Sequence, residues 1–386
     1  MICPQFFPIV GGYEIAAARL SASLARTGIS VVVLTEMRDR TWPRCETREG
    51  YEIRRWSCIY RRHLHTVTST LSFIKFLVFH GARFDVWHVH QYGMHCALAI
   101  LFGRLLRRPV VMKLTSSTSM GIERALQGAR FSTVLMHLHR RVSMCLAVTN
   151  ETLNEAISFG IPESRTLVIP NGLEPYEFLP SDNGSRAKAK SFLGFNFERM
   201  VLSVGRLSQE KNPLGLVRAW SRVIANCQAS VGLAVVGDGP QLHIVRRLVH
   251  ELGLEKTIVF AGWQTVLTNW YRAADVFVVA SHLEGLSNTM IEALASGVPV
   301  VSTCVSGSSK LLGVKPGGIV INVGDEVSMS EAILKLIHDE DLRSRLAANA
   351  RRLFEREFSM DRIVEQVLDV YAGLTNPIRL SNEVGE

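Results

Sequence analysis

Unbroken runs of apolar, mostly β-branched residues recur along the whole chain, as in Val231–Val236 and Val276-Phe277-Val278-Val279-Ala280. A strand with one wetted face alternates apolar and polar residues. A continuous run needs cover on both faces, which is the condition of a parallel sheet between two layers of helices. Helix-period segments fall between the runs, for example Glu14–Arg26, Pro213–Ala225, Pro240–Leu252 and Met290–Ala295. The alternation predicts an α/β chain of doubly wound parallel sheets. In the first half, strands are expected at Val31–Thr35, Tyr51–Trp56, Val86–His90, Val110–Leu114, Leu146–Thr149 and Leu167–Pro170. In the second half they are expected at Val201–Gly205, Val231–Val236, Ile258–Ala261, Val276–Ala280, Val298–Thr303 and Gly318–Ile321.

With 386 residues the chain exceeds one ordinary core and fits two Rossmann-like domains. The stretch 175–190, rich in Pro, Gly, Ser, Asp and Lys, reads as a linker between domains 1–174 and 191–358. Residues 359–386 read as a C-terminal helix, capped by Ser359, with Ile363, Val364, Val367, Leu368 and Tyr371 on one stripe that needs a surface to cover.

Composition excludes several classes. No apolar run approaches the 18 or so residues of a membrane span, and Leu71 to Phe79 is broken by Lys75. Seven cysteines form no C-x-x-C pair, and the start has no secretory leader, so a cytoplasmic protein with reduced thiols is expected. Charge is uneven: residues 1–171 hold 21 Lys+Arg against 11 Asp+Glu, and the remainder hold 22 against 24. Arg54, Arg55, Arg61, Arg62, His63 and His65 form one basic cluster, and Arg104, Arg107 and Arg108 another. Such patches meet phosphates, and an anionic membrane surface is one expected partner.

Several short segments carry chemistry. Glu284 and Glu292, with seven residues between them, lie on a loop feeding a short helix whose start Ser287 or Asn288 caps and whose end suits Gly297. A loop and helix N-terminus after a buried strand offers free N–H groups to phosphate. Carboxylates there repel phosphate and suit hydroxyls, so the pair points to a sugar nucleotide. Arg206 leaves a strand end and Lys211 precedes the helix from Pro213, an arrangement fit to neutralise a diphosphate. Gly237-Asp238-Gly239-Pro240 and Gly262-Trp263 follow the next strands, and Gly11-Gly12 opens the first helix. Asp339-Glu340-Asp341 has D-x-D spacing within a charged helical stretch and reads as surface, and no metal site is expected.

Taken together, these segments resemble a retaining glycosyltransferase of the GT-B fold, in the family 4 group, nearly end to end. Gly11-Gly12 matches the family's first loop, and Ile169-Pro170-Asn171-Gly172 the close of its N-terminal domain. Gly205-Arg206…Glu210-Lys211 matches its diphosphate motif and Glu284…Glu292 its E-x7-E motif. The resemblance implies two domains facing a cleft, an N-terminal domain for the acceptor, and a final helix crossing back to it. It implies Arg206 and Lys211 on the diphosphate, Glu284 on the donor sugar and Glu292 on the ribose. Backbone at Gly285, Leu286 and Ser287 would support sugar and phosphate, with Gly237 nearby and the base near Gly262 and Trp263. No metal or other cofactor would be needed. The expected acceptor is a saccharide or a lipid-linked molecule in cell-surface polysaccharide or glycolipid synthesis, and the enzyme would be cytoplasmic or peripheral on the membrane.

Two departures stand out. Thr115 occupies the place of a common family histidine, with Lys113 or Thr115 as substitutes and His88 and His90 near the same edge. Only Met1-Ile2-Cys3 precede Pro4, so the first strand reads as short or missing and the chain as starting late, which would expose a sheet edge. A nucleotide-sugar epimerase, a phosphorylase or a non-catalytic relative are the competing readings. An NAD-dependent oxidoreductase fits poorly, because no G-x-G-x-x-G follows the first strand.

Overall fold

The computed structural model describes residues 1–9, 11–59, 61, 64–115, 126, 131–311 and 315–375. They form two compact units, one of residues 1–172 plus the helix Met360–Thr375, the other Leu173–Ser359.

Unit 1 contains β1 (Val32–Met37), β2 (Cys45–Arg48), β3 (Tyr51–Ser57), β4 (Trp87–His90), β5 (Val110–Leu114), β6 (Met144–Ala147) and β7 (Thr166–Val168). They pair as β1-β3-β2 and β4-β5-β6-β7. Residues 1–3 join the two halves: Ile2 bridges Leu34 and Val89 in parallel. Ile2 N–H donates to His88 at 2.7 Å and Cys3 N–H to Leu34 at 2.9 Å, while His90 N–H donates back to Ile2 at 3.0 Å. The first strand is short but paired on both sides, so the expected exposed edge is corrected. Three residues suffice because each spends its backbone groups on a neighbouring strand, and Ile2 is buried.

Strand β2 was not anticipated, since Cys45-Glu46-Thr47-Arg48 has no apolar pattern and is largely exposed at the edge. It folds back antiparallel on β3 through Glu49 and Gly50. Both have positive φ, 47° and 86°, as a two-residue hairpin turn requires. Alternate residues of the sheet serve its two faces. Val110 and Met112 pack under helices His65–His80, Met94–Leu105 and Asn150–Phe159, with Phe73, Leu77, Ile100 and Phe159. Val111 points the other way, into a core of Leu20, Leu24, Ile363 and Val367 from helices Gly12–Arg26 and Met360–Thr375. The apolar stripe of the C-terminal helix thus covers unit 1. Gly172 admits it: a Cβ there would lie 3.0 Å from both Ile363 and Met360.

Unit 2 has β8 (Arg199–Val204), β9 (Val231–Val236), β10 (Ile258–Gly262), β11 (Val276–Val279), β12 (Val300–Thr303) and β13 (Gly318–Ile321). All are parallel, in the order β10-β9-β8-β11-β12-β13. The order reverses direction between β8 and β11, which makes their carboxyl ends the switch point where ligands of such sheets bind. Helix Pro213–Ala225 shows why the sequence folds this way. Asn212 accepts from Gly215 N–H as its cap, and Pro213 fits the first turn. Leu216, Val217, Trp220 and Val223 share a buried face. Burying a leucine or valine side chain there is worth about 1.5–3 kcal/mol.

The expected linker 175–190 is also corrected. It lies wholly in unit 2 and carries most of a helix, Asn183–Phe192, capped by Asp182. The helix lacks a strong apolar period because an ion pair anchors it. Lys190 Nζ donates to Asp275 at 2.7 Å, and Asp275 also accepts from Met200 N–H at 2.8 Å. Arg199 and Arg186 stand 3.4 and 3.7 Å from the same carboxylate, which is 1% exposed. Removing one partner leaves a buried charge uncompensated. Asp275→Ala is expected to destabilise unit 2 by about 3–5 kcal/mol in chemical denaturation.

Candidate functional site

Three turns at the carboxyl ends of β8, β9 and β10 are bonded into one rim. Gly205 N–H donates to Val236 at 3.0 Å, Leu207 N–H to Asp238 at 2.9 Å, and Gly237 N–H to Gly262 at 2.8 Å. The approach is so close that a Cβ on Gly237, whose φ is 134°, would fall 2.0 Å from the Gly205 carbonyl oxygen. One on Gly239 would fall 2.5 Å from the carbonyl of Leu207. These glycines are there for backbone contact.

The loop after β11 is tied to the same rim. His282 N–H donates to Glu210 at 2.8 Å, and Thr303 Oγ1 from β12 donates to Ser281 at 2.7 Å. Gln209–Lys211 form a single 3₁₀ turn that Asn212, at φ 51°, hands on to the next helix. Lys211 Nζ is thereby carried to Glu284 Oε2, with which it makes a salt bridge; the two side chains are 31% and 10% exposed. Arg206, Lys211, Glu284 and Ser287 line one recess with Gly205 and Thr289. Arg206 itself is exposed. Helix Asn288–Ala295 begins at that recess, capped by Ser287 Oγ accepting from Met290 N–H, and Gly297 follows its end at φ 62°. Leu286 is buried and Gly285 half-buried beside it.

Glu292 stands apart from this lining. It is buried, and Oε2 accepts from the hydroxyl of Tyr271 at 2.9 Å. Tyr271 was missed by sequence reading, and nothing in the spacing of the two residues could have revealed it. Gly262, at φ 65°, turns the chain at the rim, and Trp263 is 60% exposed beside it. Asp339 spends its carboxylate on Leu342 N–H as a helix cap. Among the described residues no group of three or more His, Cys, Asp or Glu is placed to hold a metal ion.

The remaining predicted residues lie in unit 1. Gly11 precedes helix Gly12–Arg26 and backs onto buried Glu14; a Cβ on Gly11 would meet Glu14 Oε2 at 2.7 Å. Burial raises the Glu14 carboxyl above its ordinary range. His88 and His90 stack 4.8 Å apart, both buried. Burial holds both imidazoles well below their ordinary pKa, with Lys113 adding to it. His88 Nδ1 and the Tyr371 hydroxyl share a hydrogen bond of 2.6 Å. Lys113 is buried too, reaches the Pro170 carbonyl at 3.3 Å, and is pulled by burial to about 8. Thr115 accepts from Gln91 Nε2 at the end of β5.

Three members of the first basic cluster stand beside glutamates. Arg54 pairs with Glu52, Arg55 with Glu46, and His65 lies 3.3 Å from Glu36. Arg62 and His63 lie outside the described residues.

Two expectations follow. Gly237→Ala should cost unit 2 at least about 3 kcal/mol, measured by urea unfolding, because both φ and space oppose the methyl. The second concerns acid. An unfolded histidine titrates near 6.5, while folded His90 stays neutral well below that, so its contribution is intact above 6.5 and lost as pH falls. Unfolding free energy should drop by about 1.4 kcal/mol per pH unit per such histidine below that point. His90→Phe should flatten the slope between pH 5 and 6.5 by one histidine's worth.

Known proteins resemble the chain over most of its length. Residues 186–353 match the family model of glycosyl transferases group 1, and residues 11–172 match a glycosyl transferase 4-like domain. The chain is 28% identical over 374 residues to an uncharacterized glycosyltransferase of Methanocaldococcus jannaschii, covering 94% of each. It is 28% identical over 302 residues to the lipopolysaccharide core biosynthesis mannosyltransferase LpsB of Rhizobium meliloti, covering 76% of this chain and 81% of LpsB. The HepE protein of Anabaena, solved with UDP and glucose, superposes with a TM-score of 0.78 at 18% identity, over 96% of this chain and 98% of its own. The glycine-knit rim, the Arg206–Lys211 turn and the two family matches thus lead to one conclusion: the chain is an enzyme of the group 1 glycosyltransferases, on the GT-B fold.

Proposed function

We propose that this enzyme moves a sugar from a nucleotide-sugar donor to a saccharide or lipid-linked acceptor with retention of anomeric configuration. The observation that carries the reading is the Lys211–Glu284 pair set beside Arg206 and a capped helix start at the sheet's switch point. The similarity to a lipopolysaccharide core mannosyltransferase supports a place in cell-surface polysaccharide or glycolipid synthesis.

In this reading the bond from the anomeric carbon to the phosphate oxygen breaks, and its electron pair leaves with the phosphate. Arg206 and Lys211 stabilise that charge in place of a metal ion. Backbone N–H groups of Gly285, Leu286 and Ser287 add to them at the start of the helix. The acceptor oxygen bonds to the anomeric carbon on the face the phosphate leaves, and its proton passes to the departing phosphate oxygen. Glu284, aligned by its bridge to Lys211, accepts from donor-sugar hydroxyls. Glu292, aligned by Tyr271, accepts from the ribose, and the base lies by Gly262 and Trp263 next to Gly237. Unit 1 takes the acceptor, with His90, Lys113 and Thr115 as the groups assigned to it.

Nucleotide release from a panel of UDP-, GDP- and ADP-sugars tests this. One donor should turn over slowly in water without any acceptor and faster with one, and chelation by EDTA should leave the rate unchanged. Arg206→Ala and Lys211→Ala should each lower turnover by on the order of 10²-fold, and Glu292→Ala should mainly weaken nucleotide binding. Full activity in both Lys211→Ala and Glu284→Ala would remove the site assignment, and silence across the panel would favour a non-catalytic relative.

A further inference from the structure

Helices His65–His80, Met94–Leu105 and Ser132–His139 lie side by side, the middle one packed against both others. None of the three contains an aspartate or glutamate. Their inner sides fill the core with Phe73, Leu77 and Ile100. Their outer sides hold large apolar groups in solvent: Leu71 is 61% exposed, Phe79 68%, Leu105 69%, and Phe131, heading the third helix, 69%. Val67 and Val78 extend the Leu71 stripe at helical spacing, 55% and 52% exposed. Soluble surfaces scatter such residues singly; rows of them mark a place of contact.

Cations interleave with the apolar groups. Lys75 rises from the same stripe, and Arg104 and Arg107 stand at the end of the middle helix, all exposed. These three have no ion-pair partner among the described residues. Asp85, between the first two helices, is taken by Arg108 at 3.3 Å. Contrast this with Arg54 and Arg55, whose charge is met by glutamates. No described helix is long and apolar enough to cross a membrane.

We propose that this carboxylate-free helical layer is the docking surface of unit 1 for an anionic lipid membrane. Leu71, Phe79 and Leu105 enter the boundary between headgroups and acyl chains, while Lys75, Arg104 and Arg107 meet lipid phosphates. Charge complementarity selects this occupant: a surface with unpaired cations, apolar rows and no carboxylate on any of its helices matches a negatively charged interface. The proposal rests on the glycosyl-transfer reading only for its use, which is to bring the enzyme to a lipid-linked acceptor.

Flotation of the full-length protein with vesicles tests it. Vesicles of phosphatidylglycerol mixed with phosphatidylcholine should carry the protein up, pure phosphatidylcholine should carry far less, and added salt should weaken binding. Leu71→Glu with Phe79→Glu should abolish flotation while leaving the thermal midpoint and nucleotide release from a soluble donor unchanged. Lys75→Gln, Arg104→Gln and Arg107→Gln together should lower binding to anionic vesicles by on the order of 10²-fold. Failure of the wild type to float at low salt, or equal flotation of the Leu71/Phe79 variant, overturns the proposal. So does a shift of that variant from dimer to monomer in light scattering with no vesicle binding by the wild type, which would make the face a contact between copies. Flotation without turnover of any donor would stand against the glycosyl-transfer reading alone.

Discussion

A methyl group placed on Gly237 would lie 2.0 Å from the carbonyl oxygen of Gly205, inside any permitted contact. The arrangement of the rim of the six-stranded sheet depends on that approach. Because the turns after β8 and β9 touch backbone to backbone, they bond to each other and to the turn after β10 without a side chain between them. Arg206 then leaves a fixed turn, and Lys211 is delivered to Glu284 from a second one. A loosely held loop would have to order two long cationic side chains when ligand arrived, losing rotamer freedom at that moment. Here the sheet has already fixed the backbone that carries them.

Charge is handled differently in other parts of the molecule. In unit 2 the deeply buried carboxylates are met by donors: Asp275 by Lys190, Arg199 and a backbone N–H, Glu292 by the Tyr271 hydroxyl. In unit 1 several buried bases are instead held below their ordinary pKa by burial, as with His88, His90 and Lys113. On the outer helices Lys75, Arg104 and Arg107 carry charge that no described carboxylate meets, unlike the paired Arg54 and Arg55. A count of charges by sequence segment places the basic excess in the right half of the chain, but only the pairing pattern locates where it remains unopposed.

Much of the fold was legible in the sequence, and the exceptions have physical reasons. Val231–Val236 and Pro213–Ala225 were read to the residue, because a central parallel strand must be apolar throughout and a capped amphipathic helix announces its start. Strand β2 left no trace, since an exposed edge needs neither apolar residues nor alternation. Helix Asn183–Phe192 was hidden in a polar stretch because Lys190 and Asp275 anchor it, and periodicity cannot register an ion pair between residues far apart. At the site, the motif residues were visible and the partners were not. Glu284 and Lys211 could be picked out by their places after strands, whereas Tyr271 behind Glu292 is defined only in three dimensions.

The return of helix Met360–Thr375 to the first core means that unit 1 is assembled from the two ends of the chain, with all of Leu173–Ser359 inserted between them. During synthesis the apolar side of helix Gly12–Arg26, including Leu20 and Leu24, emerges early and waits for its cover. At elongation rates of roughly 5–20 residues per second, the intervening unit takes on the order of ten to forty seconds to be made. Unit 2, being contiguous, can fold as it leaves the ribosome. Unit 1 cannot close until Met360–Thr375 has been made, so the face of helix Gly12–Arg26 that this helix covers stays open while all of Leu173–Ser359 is synthesised.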